Sequence, residues 1–252
     1  MGLSGRTKPN LLGTITVYII MESDLRCRKA LLYCICASWF SLAGPAFAER
    51  QSMTCNGEMP SSHIALAEGD QNSANHLQLN RKIASTAPVE IDVCAADLTV
   101  KGSKSGLLEV SMDLANTAPK VTAVDYVQSL NVAAERAQLQ LRLPRRVRAK
   151  VVIAVPTTTP GLTINLVRGD LALETDRINS DRKINVLHGH VEIEGNPDSY
   201  ATMHVSALMG SFHDHRSGQS ATGAMSQSLT GTGKGSIEVN VVWGSVDLKP
   251  WD

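Results

Sequence analysis

The stretch INLVRGDLAL, residues 164–173, decides the architecture, because the chain writes it again as INVLHGHVEI (184–193), VSALMGSFHD (205–214) and VNVVWGSVDL (239–248). A fifth, weaker copy, IDVCAADLTV (91–100), carries Ala96 where the others have Gly169, Gly189, Gly210 and Gly244. Each copy is an alternating apolar segment, a small turn residue and a second alternating segment. A period of two is the mark of strands with one buried face.

Aligned on the turn residue, the copies form columns, as true repeats must. Five positions before the turn stand Ile91, Ile164, Ile184, Val205 and Val239, and three before it Val93, Leu166, Val186, Ala207 and Val241. Two after it stand Leu98, Leu171, Val191, Phe212 and Val246. Four after it come Val100, Leu173, Ile193, Asp214 and Leu248, so Asp214 is the one polar member and must be paired or sit at a bulge. Glycine suits the turn because it adopts positive φ at low cost. Between the apolar columns lies Asp92, Asn165, Asn185, Ser206 and Asn240, either a strand-to-strand polar ladder or solvated surface.

Spacings of 20 and 21 residues, then 34, suggest coils. The chain is therefore expected to be all-β, a parallel β-solenoid with about 20-residue coils stacked in sequence order. The alternative is an antiparallel β-sandwich of hairpins, since a glycine between alternating strands also reads as a hairpin. Column-by-column side-chain identity favours the solenoid. Leu107–Leu114 and Ala137–Leu143 read as a strand pair preceding the stack, Val124–Glu135 as a short helix, and Ser217–Gly235, rich in Ser, Thr and Gly, as an irregular loop.

The first 48 residues read as an export signal with its true start at Met21. Arg26, Arg28 and Lys29 precede an apolar run from Ala30 to Leu42, too short to span a bilayer, and Ala46-Phe47-Ala48 is a small-x-small cleavage site. Cleavage removes five of 24 basic and two of 24 acidic residues, leaving 19 and 22, a net charge of −3 that does not favour nucleic acid. It also leaves Cys55 and Cys94 as an even pair for an oxidising compartment, either bonded or two separate thiols. Residues 49–88 read as a polar, partly disordered arm, and 89–252 as the strand-repeat domain. The product is expected in the periplasm or outside the cell, with no integral membrane segment after cleavage.

Candidate chemistry concentrates in the middle copies. In the column frame Glu192 faces His213 and Glu194 faces His215 across neighbouring coils, ligand types suited to zinc or copper, against the plainer reading of hydrogen-bonded surface groups. No metal and no cofactor is assigned. Asp170, Glu174, Glu192, Glu194 and Asp247 point outward and form the basis of an alternative reading as a carbohydrate-active or metal-dependent enzyme. No nucleophile elbow occurs and neither cysteine carries a local catalytic signature, so no catalytic residue is assigned. GTGKGS (231–236) lacks the Lys-Ser step and the helix a phosphate loop needs, and Arg168-Gly169-Asp170 is the repeat's own corner. Arg142, Arg145, Arg146, Arg148 and Lys150 make a basic run that suits an anionic polymer or a solvated rim.

The run from VVIAVP (151–156) through LTINLVRGDLALE to GSIEVNVVWGSVDLKP resembles the bacterial "putative adhesin" domain family of unknown function. The likeness covers Val89 to Pro250. It implies a β-solenoid-like, all-β envelope domain without established catalytic residues. Ala96, His190 and the His213-Asp214-His215 triplet depart from the family pattern. The expected function is a non-enzymatic exported envelope scaffold or adhesin-like binder, with an envelope protein or polysaccharide as partner.

Overall fold

The computed structural model describes residue 55 and residues 64–115, 121–144, 146–175 and 180–251. The expected signal segment 1–48 with Met21, most of residues 49–63, and Arg145 of the basic run lie outside the described residues.

Fourteen strands follow one another: β1 (Gln71–Asn72), β2 (His76–Lys82), β3 (Val89–Ala95), β4 (Asp97–Ser103), β5 (Leu107–Leu114), β6 (Val127–Val132) and β7 (Ala137–Leu141). Then come β8 (Ala149–Pro156), β9 (Gly161–Arg168), β10 (Leu171–Glu174), β11 (Asp181–Glu194), β12 (Thr202–Asp214), β13 (Gln219–Thr230) and β14 (Ser236–Lys249). The fold is all-β, with no α-helix among the described residues. The strands form one mixed sheet that curls into an open half-barrel.

The register follows the columns. Ile184 of β11 pairs with Ile164 of β9 and Val239 of β14, and Ile164 pairs with Ile91 of β3. Beyond the corner Leu98, Leu171, Val191, Val246 and Phe212 lie side by side across β4, β10, β11, β14 and β12. These side chains are almost completely buried and form the core with their neighbours. Burying each such side chain is worth about 1.5–3 kcal/mol, which fixes the register because a one-residue slip would turn every apolar group outward.

A parallel solenoid is not what the strands build, for two reasons. Antiparallel pairings flank the parallel ones: β2 with β5, β5 with β8, β6 with β7, and β12 with β13. The repeats also do not stack in sequence order, because β14 enters between β11 and β12 and pairs in parallel with both. The purely antiparallel sandwich fails on those same parallel pairings.

The local corrections share one cause. Residues read as a loop at 217–235 contain β13, and residues read as a helix at 124–135 contain a 3-10 turn at Ala123–Tyr126 followed by β6. Both strands pair on one side only, β13 with β12 and β6 with β7. As edge strands they are only partly buried, so their alternation is weak: the half-buried side of β13 is Ala221, Met225, Gln227 and Leu229, interrupted by polar Gln227 and by exposed Gly223. β5 and β7 form where strands were expected, but they do not pair with each other: β5 lies between β2 and β8, and β7 between β3 and β6. Of segment 49–88, His76–Lys82 is β2, paired along its length with β5, and a fork from Arg81 to both oxygens of Asp70 (2.7 Å each) ties the preceding turn to it.

The corners explain the glycine column more fully than backbone freedom does. Gly169 and Gly244 have φ of 129° and 146°, whereas Gly189 and Gly210 are not in the positive-φ region. All four share a different constraint. A methyl group on Gly189 would overlap the Gly169 carbonyl, one on Gly244 that of Gly189, and one on Gly210 that of Gly244. The overlaps all run in one direction, ending on Ala96, beyond which β7 and β8 are joined by a wider connection without a corner copy. Ala96 is therefore tolerated at the end of a column in which backbone packs on backbone.

Candidate functional site

The outward surface of the first half-strands is a continuous amide ladder. Asn240 Nδ2 donates to Asn185 Oδ1 (3.1 Å), Asn185 Nδ2 to Asn165 Oδ1 (2.8 Å), and Asn165 Nδ2 to Asp92 Oδ1 (2.6 Å). From the other side Gln138 and Gln140 each donate to Asp92 Oδ2 at 3.3 Å. Every amide points its donor toward the Asp92 carboxylate, so the dipoles align and reinforce one another. Ser206, the last member, bonds instead to His204 within its own strand.

Beyond the corner the outward surface is charged and irregular. With β14 interposed, Glu192 pairs in register with Asp247, and Asp247 with His213. Glu192 and His213 are thus two strands apart, which corrects the neighbouring-coil geometry expected for a metal. His190 Nδ1 meets Ser245 Oγ at 2.7 Å, while its Nε2 stands 3.6 Å from Asp247 and 3.9 Å from Glu192. Those carboxylates lie beyond hydrogen-bond length, so this serine, histidine and acid are not aligned as a proton relay. Lys249 Nζ takes Glu192 at 2.6 Å instead.

Glu194 and His215 do come together, lining a hollow of about 450 Å³ with Lys249, Pro250 and Trp251. Burial raises the Glu194 pKa, and the neighbouring carboxylates Glu192 and Glu174 raise it further. The His213 and His215 rings are 6.5 Å apart between centroids. Among the described residues no group of three or more His, Cys, Asp or Glu side chains is arranged to hold a metal ion.

The corner itself carries the most unusual surface. Arg168, His188, Trp243 and Met209 stand side by side on β9, β11, β14 and β12. Leu187 and Trp243 are each 47 % exposed, Met209 40 % and Leu208 39 %, on three adjacent strands. At one end of this ridge a groove of about 290 Å³ runs between Trp243, Leu187, Val167 and Leu143 to the Cys55–Cys94 disulfide. The two cysteines, 39 residues apart with Cα atoms at 5.5 Å, attach residue 55 beside the first corner. Alternation hid this ridge from the sequence: at the corner the chain turns, and two successive residues face outward, Leu187 and His188 in β11, Leu208 and Met209 in β12, Val242 and Trp243 in β14.

Other motifs find plain roles. The amides of Gly231, Thr232 and Gly233 donate to backbone carbonyls of Ala201, Pro197 and Tyr200, so GTGKGS offers them to no phosphate. Asp170 Oδ1 accepts the His190 amide, placing Arg168-Gly169-Asp170 in the corner. Arg146, Arg148 and Lys150 are exposed.

Asp214 points inward and is paired, not bulged. Arg216 donates to it from Nε (2.9 Å), its second terminal nitrogen (3.2 Å) and its amide (3.0 Å), and Ser217 Oγ adds a fourth bond at 3.0 Å. Burial pushes its carboxyl pKa up, and these bonds more than offset that, leaving it below the usual value. Arg216 also reaches Tyr200 OH and lies over the Tyr200 ring, closing the end of the core. The sequence flagged Asp214 but not its partner two residues on.

No family model and no curated protein matches the chain. Among solved structures the fold is similar to a "putative cell adhesion protein" from Clostridium sporogenes ATCC 15579, at 15% identity over 72% of this chain and 99% of that one, TM-score 0.45. It is also similar to a "putative adhesin" from Bacteroides fragilis NCTC 9343 (7% identity, 70% and 98% covered, TM-score 0.25) and one from Parabacteroides merdae ATCC 43184 (10%, 74% and 80%, TM-score 0.26). The structural neighbours thus carry the name of the bacterial adhesin family that the repeat resembles.

Proposed function

We propose that this is a non-enzymatic, exported binding protein that engages an apolar segment of another protein through the corner ridge. The observation that carries the reading is the exposed row of Leu187, Trp243, Met209 and Leu208 on three adjacent strands. Contiguous apolar side chains on a soluble surface mark interaction sites, and Trp and Met are among the residue types that anchor protein contacts. The ridge rests on corners that cannot shift independently, so little order is lost when a partner docks. A cysteine pair bonded at the ridge's end suits an oxidising compartment outside the cytoplasm.

Panning a random-peptide display library against the purified protein tests this. Peptides with apolar or aromatic anchors should be retained by wild type and lost at least tenfold with Leu187→Ser plus Trp243→Ser; equal retention by the double variant would overturn the reading. The alternative, a carbohydrate-active enzyme, is favoured only by Glu194, whose raised pKa in a hollow shared with His215 and Trp251 suits a proton donor. Released sugar from a polysaccharide panel, abolished in Glu194→Gln, is its signature.

A further inference from the structure

One column of the core contains a charge. At the start of β11, Arg182 stands in register between Leu162 of β9 and Ile237 of β14, in a row that continues to Val89 and Met203. Every other member of that row is a buried apolar side chain, and Arg182 is only 2% exposed. Its Nε and both terminal nitrogens have no hydrogen-bond partner among the described residues. The adjacent carboxylate, Asp181, cannot serve it: successive residues face opposite sides of a strand, and Asp181 Oδ1 already accepts the amide (2.9 Å) and hydroxyl (2.8 Å) of Ser236.

Two more unpartnered donors lie at the same end of the sheet. Ser180 immediately precedes β11, and Thr159 lies in the connection that enters β9, whose first residue, Gly161, pairs with Asp181. Both side chains are buried, and neither hydroxyl has a hydrogen-bond partner among the described residues. The connection into β14 packs on Ser180, since a methyl group on Gly235 would come within 2.7 Å of the Ser180 carbonyl.

Burial lowers the Arg182 pKa to about 10, so the guanidinium is still cationic at neutral pH. Asp181 acts on it through charge but not through a hydrogen bond, and a buried cation without hydrogen-bonded partners is strongly unfavourable. The guanidinium has donors and no acceptor, and each hydroxyl can turn its proton the same way. The complement of such a set is negative charge. All three side chains are buried, and a monatomic anion is the smallest group that would supply that charge.

We propose that Arg182, with the hydroxyls of Ser180 and Thr159, forms a structural binding site for a halide ion of chloride size. The ion neutralises the one cation in the apolar column and ties the entry of β9 to that of β11. Because the site is closed, chloride acts as part of the fold rather than as a transported or reacting species.

Two measurements test this on the purified protein. In thermal melts at constant ionic strength, replacing gluconate by chloride should raise the midpoint by about 3–5 °C per tenfold chloride above the dissociation constant. Arg182→Met, which keeps the length and restores an apolar column, should melt independently of chloride. Crystals grown with bromide should show an anomalous peak in contact with the guanidinium. An equal chloride response in Arg182→Met, or no peak, overturns the proposal; a peak with chloride-independent melting marks an adventitious ion only and also overturns it. If Arg182→Met does not fold, the wild-type chloride series and the bromide peak decide together.

Discussion

On either side of the glycine corner the same strands present opposite kinds of surface. Before the corner, Asn240, Asn185, Asn165 and Asp92 repeat one residue class and bond strand to strand without interruption. After it, Glu192, Asp247 and His213 occupy a single row with three different side chains, and Lys249 and His190 compete for the carboxylates. Uniformity on one half marks a surface whose job is internal cohesion. Heterogeneity on the other leaves side chains uncommitted to their neighbours, and the corner between them adds an apolar ridge. The proposed contact surface lies on the second side and the corner, not on the ladder.

The sharpest way to break this comparison is to attack what both halves share. Gly189→Ala places a methyl group on the Gly169 carbonyl and should cost about 4 kcal/mol or more, seen as a collapse of the thermal or urea midpoint. A loss below 1 kcal/mol would mean that the corners slide freely. Opening the Cys55–Cys94 bond comes next: its 39-residue loop predicts a loss of about 4 kcal/mol in Cys94→Ser, reproduced in wild type by a reducing agent.

Asp214 tests how the charged half closes its core. Asp214→Asn should cost about 2 kcal/mol at pH 7, the value of charge-assisted bonds to a carboxylate. Its folded pKa is depressed below 3.8, so this contribution is complete above that value and is lost as pH falls through the lower folded one. The gap between wild type and Asp214→Asn should therefore narrow in denaturant melts taken from pH 5 downward. Glu194 works in the opposite direction. Its raised pKa makes the ionised form a burden that grows as pH rises through about 4.5, so Glu194→Gln should gain relative stability from pH 4 to pH 7.

The smallest effects sharpen the contrast directly. Asn185→Ala removes a link with a donor above and an acceptor below and should cost about 1–2 kcal/mol. Glu192→Ala, on a half-exposed ion pair, should stay below about 1 kcal/mol. Equal losses would erase the distinction between the two surfaces.

What was legible in the sequence was whatever burial repeats. Leu98, Leu171, Val191, Phe212 and Val246 announced their shared row because each must be apolar, and the Asn column announced the ladder. Strand order was not legible, since a side chain responds to its environment and not to which strand supplies it. The long interval from Gly210 to Gly244 did carry the clue: it holds an entire extra strand, β13, whose half-buried side of Ala221, Met225, Gln227 and Leu229 is a faint alternation among exposed Ser and Thr. Arg182 stands in an apolar row that lies ahead of the segment the five copies share, where no repeated column exposes it. The corner ridge was hidden for the reason that makes it conspicuous now, two consecutive outward residues at a bend.

The placement of β14 has a consequence for how the protein is made. β14 follows β11 and β12 in the chain yet lies between them, flanked on both sides by strands synthesised before it. Until residues 236–249 arrive, the hairpin of β12 and β13 has no edge of β11 to join, and the half-barrel stays divided.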